Sequence, residues 1–197
     1  MDREYPPLVA VPLQKGAGFA QPSQNVAAKV TLDSPALEVM TDLGQVSAVI
    51  VTQLESVDEA ERRMRQRGVR LLLVVDEARR VVGIVTATDV LGEKPMQASM
   101  ARGVPHQEVT VADIMTPQSG LEVLLLEDVR YAKVGHVVST LRHAGRQHAA
   151  VVNVGADGRQ TLRGLFSSAQ IARQLGMAIP TPEIASTFAE IKASLAG

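Results

Sequence analysis

The sequence contains no cysteine and no tryptophan, and its aromatic residues amount to 3% of the chain, two Tyr and three Phe. The lack of cysteine removes disulfides, thiolate catalysis and Cys-type zinc sites together, and it fits a reducing cytoplasm. With so few aromatics, the core must be built from Val, Leu, Ile, Ala and Met. Apolar residues make up 46% of the chain, ample for that purpose, and a charged content of 21% is not that of a disordered chain. Neither sign of charge dominates: 20 Lys+Arg stand against 21 Asp+Glu, a formal net charge of -1. A protein working on a phosphate backbone is expected to carry a basic excess or an aromatic stacking platform. Neither is present, so nucleic acid is not an expected partner.

Long hydrophobic runs are also missing. No stretch approaches the roughly 18 consecutive apolar residues of a spanning helix. The first residues, Met1-Asp2-Arg3-Glu4-Tyr5-Pro6-Pro7, place acids and prolines where a signal peptide needs an apolar run. The expectation is a cytoplasmic protein without membrane attachment. Catalytic signatures are absent too: there is no G-x-S-x-G elbow, no Walker loop and no H-E-x-x-H. His136 and His143 share a helical face seven residues apart, with no carboxylate at ligand spacing between them, so no metal site is expected.

What is present is a duplication. Val39-Met40-Thr41 is echoed by Ile114-Met115-Thr116, and a helical segment ends at a glycine in each half, Gly68 and Gly145. Strand-like runs follow, Leu71–Asp76 and Ala149–Asn153, and then Val82-Gly83-Ile84-Val85-Thr86 and Arg163-Gly164-Leu165-Phe166-Ser167. The Met40-to-Met115 period of 75 residues is too long for a solenoid and suits a small duplicated domain.

Each half reads β-α-β-β-α. Ser56-x-x-Glu59 is a capping-box signature, and Gly68 supplies a left-handed helix end. In the second half Val134, Val137, Val138, Leu141 and Ala144 recur at helical spacing before Gly145. The apolar runs after the glycines suit strands covered on both faces, and Asp76–Arg80 reads as a hairpin turn. The arginines between 62 and 67 read as a solvated helix face, with an acidic partner as the alternative.

The expected organisation is an extended Pro/Gly-rich arm (1–28), a first unit (29–92), a linker with Pro95 as a break or a new helix start (93–108), a second unit (109–176), and a terminal amphipathic helix (177–197). Ile184, Phe188, Ile191 and Leu195 form that last helix's stripe, docked on its own domain or on another subunit.

Over roughly residues 34–176 these landmarks resemble the CBS domain family. The resemblance rests on Ala112-Asp113-Ile114-Met115-Thr116-Pro117, on Leu72-Leu73-Val74-Val75-Asp76, and on Gly83-Ile84-Val85-Thr86-Ala87-Thr88-Asp89. It implies an α/β (α+β-like) fold in which two stacked β-α-β-β-α units form one pseudo-twofold (Bateman) module, often as a homodimer. It also implies a cleft for an adenosine-type nucleotide of the AMP, ADP, ATP, NAD or S-adenosylmethionine class, bound non-covalently, with no catalytic cofactor. By the same resemblance, Thr86 offers a hydroxyl to a phosphate and Asp89 accepts from the ribose diol. Arg70 and His148 are the basic candidates, and Ser167 and Gln170 are the second copy's counterparts. The bare pattern Thr86-x-x-Asp89 is also a plain helix-capping box.

Copy two departs from the family pattern at Gln170, which stands where an aspartate is expected, and at Asn153, which corresponds to Asp76. A Gln there still completes a capping box but pairs less well with a diol. Two functions follow. One is a regulatory module that signals nucleotide binding to an unidentified protein target. The other is a ligand-free dimerisation scaffold. An enzyme is not expected, because only about 50 residues lie outside the repeat.

Overall fold

The computed structural model describes residues 30–176. The expected arm and the expected terminal helix lie outside the described residues. A short 3-10 turn (Ala36–Val39) leads into strand β1 (Thr41–Asp42), followed by β2 (Ile50–Thr52), helix α1 (Val57–Arg67), β3 (Leu71–Val75), β4 (Val81–Thr86) and α2 (Ala87–Leu91). A crossover then carries α3 (Lys94–Arg102), α4 (Val111–Ile114) and β5 (Thr116–Pro117). The second half continues with β6 (Val123–Leu125), α5 (Leu126–Val129), α6 (Val134–His143), β7 (His148–Val154), β8 (Gln160–Ser167) and α7 (Ser168–Leu175).

The β-α-β-β-α order therefore occurs twice, as β2-α1-β3-β4-α2 and β6-α6-β7-β8-α7, with the short α5 added in the second copy. Local chemistry accounts for the helix ends. The Ser56 hydroxyl accepts from the Glu59 N–H at 3.2 Å, and Gly68 closes α1 at φ 63°. Only half of the expected capping box forms there. The Glu59 carboxylate turns instead to Arg62 and Arg63, while Arg65 pairs with Glu61. The arginine face is thus largely neutralised by its own helix and by Glu55. At the start of α6, His136 Nδ1 accepts from the Lys133 N–H at 3.0 Å, so this histidine works as a cap. Pro95 occupies the first turn of α3, where its missing donor costs nothing.

Two four-stranded sheets form, in the orders β2-β3-β4-β5 and β1-β8-β7-β6. Both hairpins carry a bulge at the same place, after Val74 and after Val151, which marks the two copies as equivalent down to local twist. The outer strands are exchanged. β1 precedes the first unit but pairs antiparallel with β8 of the second, and β5 pairs antiparallel with β4 of the first.

The cores follow the same exchange. Val30, Ala36 and Val39 are buried with Leu126, Val137, Leu141, Phe166 and Ile171. Val109, Val111 and Ile114 are buried with Val51, Val57, Met64, Leu72, Val74 and Val85. Each packing unit therefore draws on both halves of the chain, and the cores cross the sequence divisions at 29–92 and 109–176. A β-carbon on Gly83 would lie 2.6 Å from the Thr116 carbonyl oxygen, because β5 crosses directly over that position. At the equivalent Gly164 it would meet the Met40 side chain.

Ile114, 2% exposed, should stabilise the first unit although it belongs to the second sequence repeat. Ile114→Ala is expected to cost about 2–5 kcal/mol in denaturant unfolding. Gly83→Ala should destabilise more than Gly164→Ala, since backbone cannot yield where a flexible methionine can. Equal losses for the two glycine variants would contradict the exchanged packing.

Candidate functional site

The sheets meet about a pseudo-twofold axis that relates Leu71 to His148 and Thr86 to Ser167. The register shows it: Leu71 pairs with Thr86 in the first hairpin, and His148 with Ser167 in the second. The exchanged strands bring Thr116 opposite Ile84 and Thr41 opposite Leu165. Among the described residues, two clefts take their lining from both sheets.

Cleft one has a volume of about 210 Å³. Its walls are apolar (Leu71, Ile84, Leu121, Ala150, Leu165), and its polar groups are Thr86, Thr88, Asp89, Thr116, Glu122, Arg146, Gln147 and His148. At its floor, α2 begins. The Thr86 hydroxyl accepts from the Asp89 N–H at 3.3 Å, and Asp89 Oδ2 accepts from the Thr86 N–H at 2.8 Å and from its hydroxyl at 2.7 Å. The capping-box reading of this pair is therefore literally present, and it holds the carboxylate at the cleft with 8% exposure. Asp89 Oδ1 pairs with Lys94 Nζ at 2.5 Å, and the same ammonium donates to the Ile114 carbonyl at 3.2 Å.

His148 stands in the same cleft. Burial, reinforced by the neighbouring Arg70 charge and opposed by Asp89, holds its imidazole down at about 4. At neutral pH it is uncharged, so it is not the cationic partner that its position in the repeat suggests. Its Nδ1 is buried and has no hydrogen-bond partner among the described residues. Arg70 is exposed and does not line the cleft, although its charge reaches His148. The cation that does line it is Arg146, paired with Glu122 at 2.9 Å.

Cleft two, of about 310 Å³, is lined by Thr41, Leu43, Val46, Val49, Arg67, Val69, Leu71, Leu73 and Leu165 among others, a more apolar set. Ser167 and Gln170 line neither cleft one nor cleft two. α7 starts at Ser168, but Ser167 makes no side-chain cap, and Gln170 Oε1 accepts from the Thr41 hydroxyl at 3.2 Å. The capping box expected from Ser167 and Gln170 does not form, because the exchanged strand β1 offers the amide a tertiary donor instead.

The structure thus gathers Thr86, Asp89 and His148, with Arg70 close by, and separates Ser167 and Gln170 from them. Lys94, Arg146, Glu122 and Thr116 were missed by sequence reasoning. Arg146 could have been found by aligning the repeats, since it stands two residues before His148, as Val69 stands before Leu71. Lys94 carries no local signal. Among the described residues, no group of three or more His, Cys, Asp or Glu is placed to hold a metal ion. No helix among them is long and apolar enough to cross a membrane.

Comparison with known proteins agrees with this architecture. Residues 36–95 match the CBS domain family model. An uncharacterized conserved protein from Pyrococcus horikoshii superposes with a TM-score of 0.51 at 22% identity, covering 72% of this chain and 91% of its own. A CBS-domain containing protein from Agrobacterium tumefaciens also gives 0.51, at 16% identity over 80% of this chain and 98% of its own. A protein with CBS domains from Burkholderia ambifaria gives 0.50, at 21% identity over 66% and 82%. No curated protein sequence matches the chain. The fold is that of a paired α/β module with two stacked four-stranded sheets. Residues 36–95 therefore match a CBS domain, and the second unit repeats the fold order of the first.

The neutral, buried His148 has a measurable consequence. Its folded value lies below the ordinary 6.5, so the unfolded chain takes up the proton first. Its contribution to stability is complete above pH 6.5 and is lost as pH falls toward 4, by about 3 kcal/mol at most. His148→Leu, which copies the counterpart Leu71, should flatten denaturant-derived stability between pH 6.5 and 4. An unchanged slope would show that His148 titrates normally.

Proposed function

We propose that this module binds an adenosine-type nucleotide in cleft one and serves as a non-catalytic regulatory element. The observation that carries the reading is the convergence, between two units, of a fixed carboxylate and hydroxyl at a helix start with apolar cleft walls. Asp89 is suited to a ribose diol because its Oδ2 is taken up by Thr86 while Oδ1, with its acceptor lone pairs, is held only by the Lys94 ion pair among the described residues. Ile84, Leu71, Ala150 and Leu165 supply faces for a purine. The neutral His148 adds a polar ring to the lining rather than a charge.

The size of the cleft sets how such a ligand would sit. Pockets that engulf drug-sized ligands run to about 300–1,000 Å³. A cleft of about 210 Å³ suits the nucleoside and leaves phosphates toward the mouth. Among the described residues the half-exposed Arg146 of the lining is held only by Glu122, which is 80% exposed, and such surface pairs contribute little. Arg146 is therefore free to exchange Glu122 for a phosphate, and Arg70 adds positive potential beside it.

A ligand-free interaction scaffold is the second reading, and the second copy favours it. Gln170 is committed to Thr41, and cleft two offers apolar walls without a carboxylate. One functional cleft in a pseudo-symmetric frame accommodates both observations. A homodimer acting on a separate protein target, in the cytoplasm, completes the proposal.

Calorimetric titration with adenosine, AMP, ADP, ATP, NAD and S-adenosylmethionine should give saturable binding for at least one compound. Asp89→Ala should weaken it by about tenfold or more, the loss expected for hydrogen bonds to a charged group. Silence across the whole panel would leave the scaffold as the function. Binding unaffected by Asp89→Ala would move the site elsewhere.

A further inference from the structure

Among the described residues Lys94 is the one cation tied to Asp89, and it does not come from the unit that builds the cleft floor. It is the first residue of α3, the crossover helix between the two units. Its ammonium joins three elements: Asp89 in α2, the Ile114 carbonyl at the end of α4, and α3 itself. The segment after Ile114 runs into β5, where Thr116 lines the same cleft. A single side chain thus connects the candidate ribose acceptor to the strand that the second repeat donates to the first.

The lone pairs of Asp89 are nearly spoken for. Oδ2 already receives the Thr86 N–H and hydroxyl, while Oδ1 receives Lys94. A carboxylate has about four acceptor sites in all. Two ribose hydroxyls therefore have to compete with a donor already in place. The Thr86 bonds belong to the start of α2 and are local, three residues apart. Lys94 is half exposed and can be solvated when released, so it is the donor that yields.

We propose that Lys94 is an internal competitor for the ligand's place on Asp89, and that its displacement passes cleft occupancy to the crossover helix α3. This rests on the nucleoside reading of cleft one. Release of the ammonium removes the tie among α2, α3 and α4, so the liganded and unliganded states differ at the joint between units. A ligand that contacts Asp89 only weakly leaves the tie intact and gives no signal. Affinity and signal are then opposed: each bound diol works against the Lys94 bond.

The test uses the full chain, with adenosine and AMP as probes. Lys94→Met keeps the aliphatic stem and removes the donor, and Lys94→Gln serves as a second variant should the first fold poorly. Both should bind adenosine about three- to tenfold more tightly than wild type, a gain that a merely structural defect does not produce. Lys94→Arg should restore wild-type affinity. In hydrogen exchange, adenosine should accelerate amides of residues 94–102 in wild type and leave them unchanged in Lys94→Met. Binding by Lys94→Met alone, with a silent wild type, would also support competition. Equal affinities in wild type and variants would overturn the competitor role while leaving the nucleoside site standing. No binding by any form would overturn both. Tighter binding without a ligand-dependent change in α3 would overturn the relay.

Discussion

The exchange of edge strands is the constraint on which the rest depends. Each sheet ends in a two-residue strand supplied from the other side of the repeat boundary. Two residues pair too few backbone groups to hold a strand by hydrogen bonding alone. The residues just before them provide the anchor: Val39 ahead of β1 and Ile114 ahead of β5, each buried in the core it visits. The backbone crossing then explains why Gly83 and Gly164 recur in the sequence. At Gly83 the incoming strand's backbone leaves no room for a side chain, and at Gly164 the Met40 side chain ahead of the incoming strand fills the space. Because the donated strands form one wall of each cleft, neither cleft exists in a single unit.

From that frame the asymmetry of the two clefts follows by substitution alone. The same backbone presents Asp89 in one copy and Gln170 in the other, and the exchanged strands present Thr116 and Thr41 beside them. An aspartate can close its own helix start while facing outward, since its two oxygens serve both tasks. A glutamine is longer and has one acceptor oxygen, so when Thr41 takes that oxygen the helix start goes uncapped. His148 opposite Leu71 completes the difference, placing a polar ring on one side of the axis and an aliphatic chain on the other.

Much of this was legible in the sequence where the signal is local. Gly68 and Gly145 mark helix ends because a left-handed backbone favours glycine whatever surrounds it, and both adopt positive φ. The apolar run Leu71–Val75 announced a strand covered on both faces, and every residue in it is buried. Thr86 and Asp89 could be paired because three residues separate them. The strand exchange was not legible, since a two-residue strand has no period and its partner lies about 120 residues away, as Thr41 does from Leu165. Gln170 was misread for the same reason. Its short-range partner was visible in the sequence, and its actual partner, 129 residues distant, was not. The charge state of His148 belongs to the same class: burial and the approach of Arg70 decide it, and both are tertiary facts.

Under the proposed function, a cleft walled by both units couples ligand binding to the placement of those units without any dedicated hinge. A ligand shifts an equilibrium only by its differential affinity for the two states. In cleft one that difference is built into the lining. Thr86 and Asp89 come from the first unit, His148 and Arg146 from the second, and Thr116 from the donated strand between them. Any compound touching all three groups binds most tightly at one relative placement of the units and reports a departure from it as lost affinity. In the relay proposed above, the Asp89–Lys94 ion pair is the bond that a ligand works against. Cleft two lacks that opposition, because its carboxamide is bonded to the frame itself, so a molecule lodged there would add packing without a competing polar bond to break.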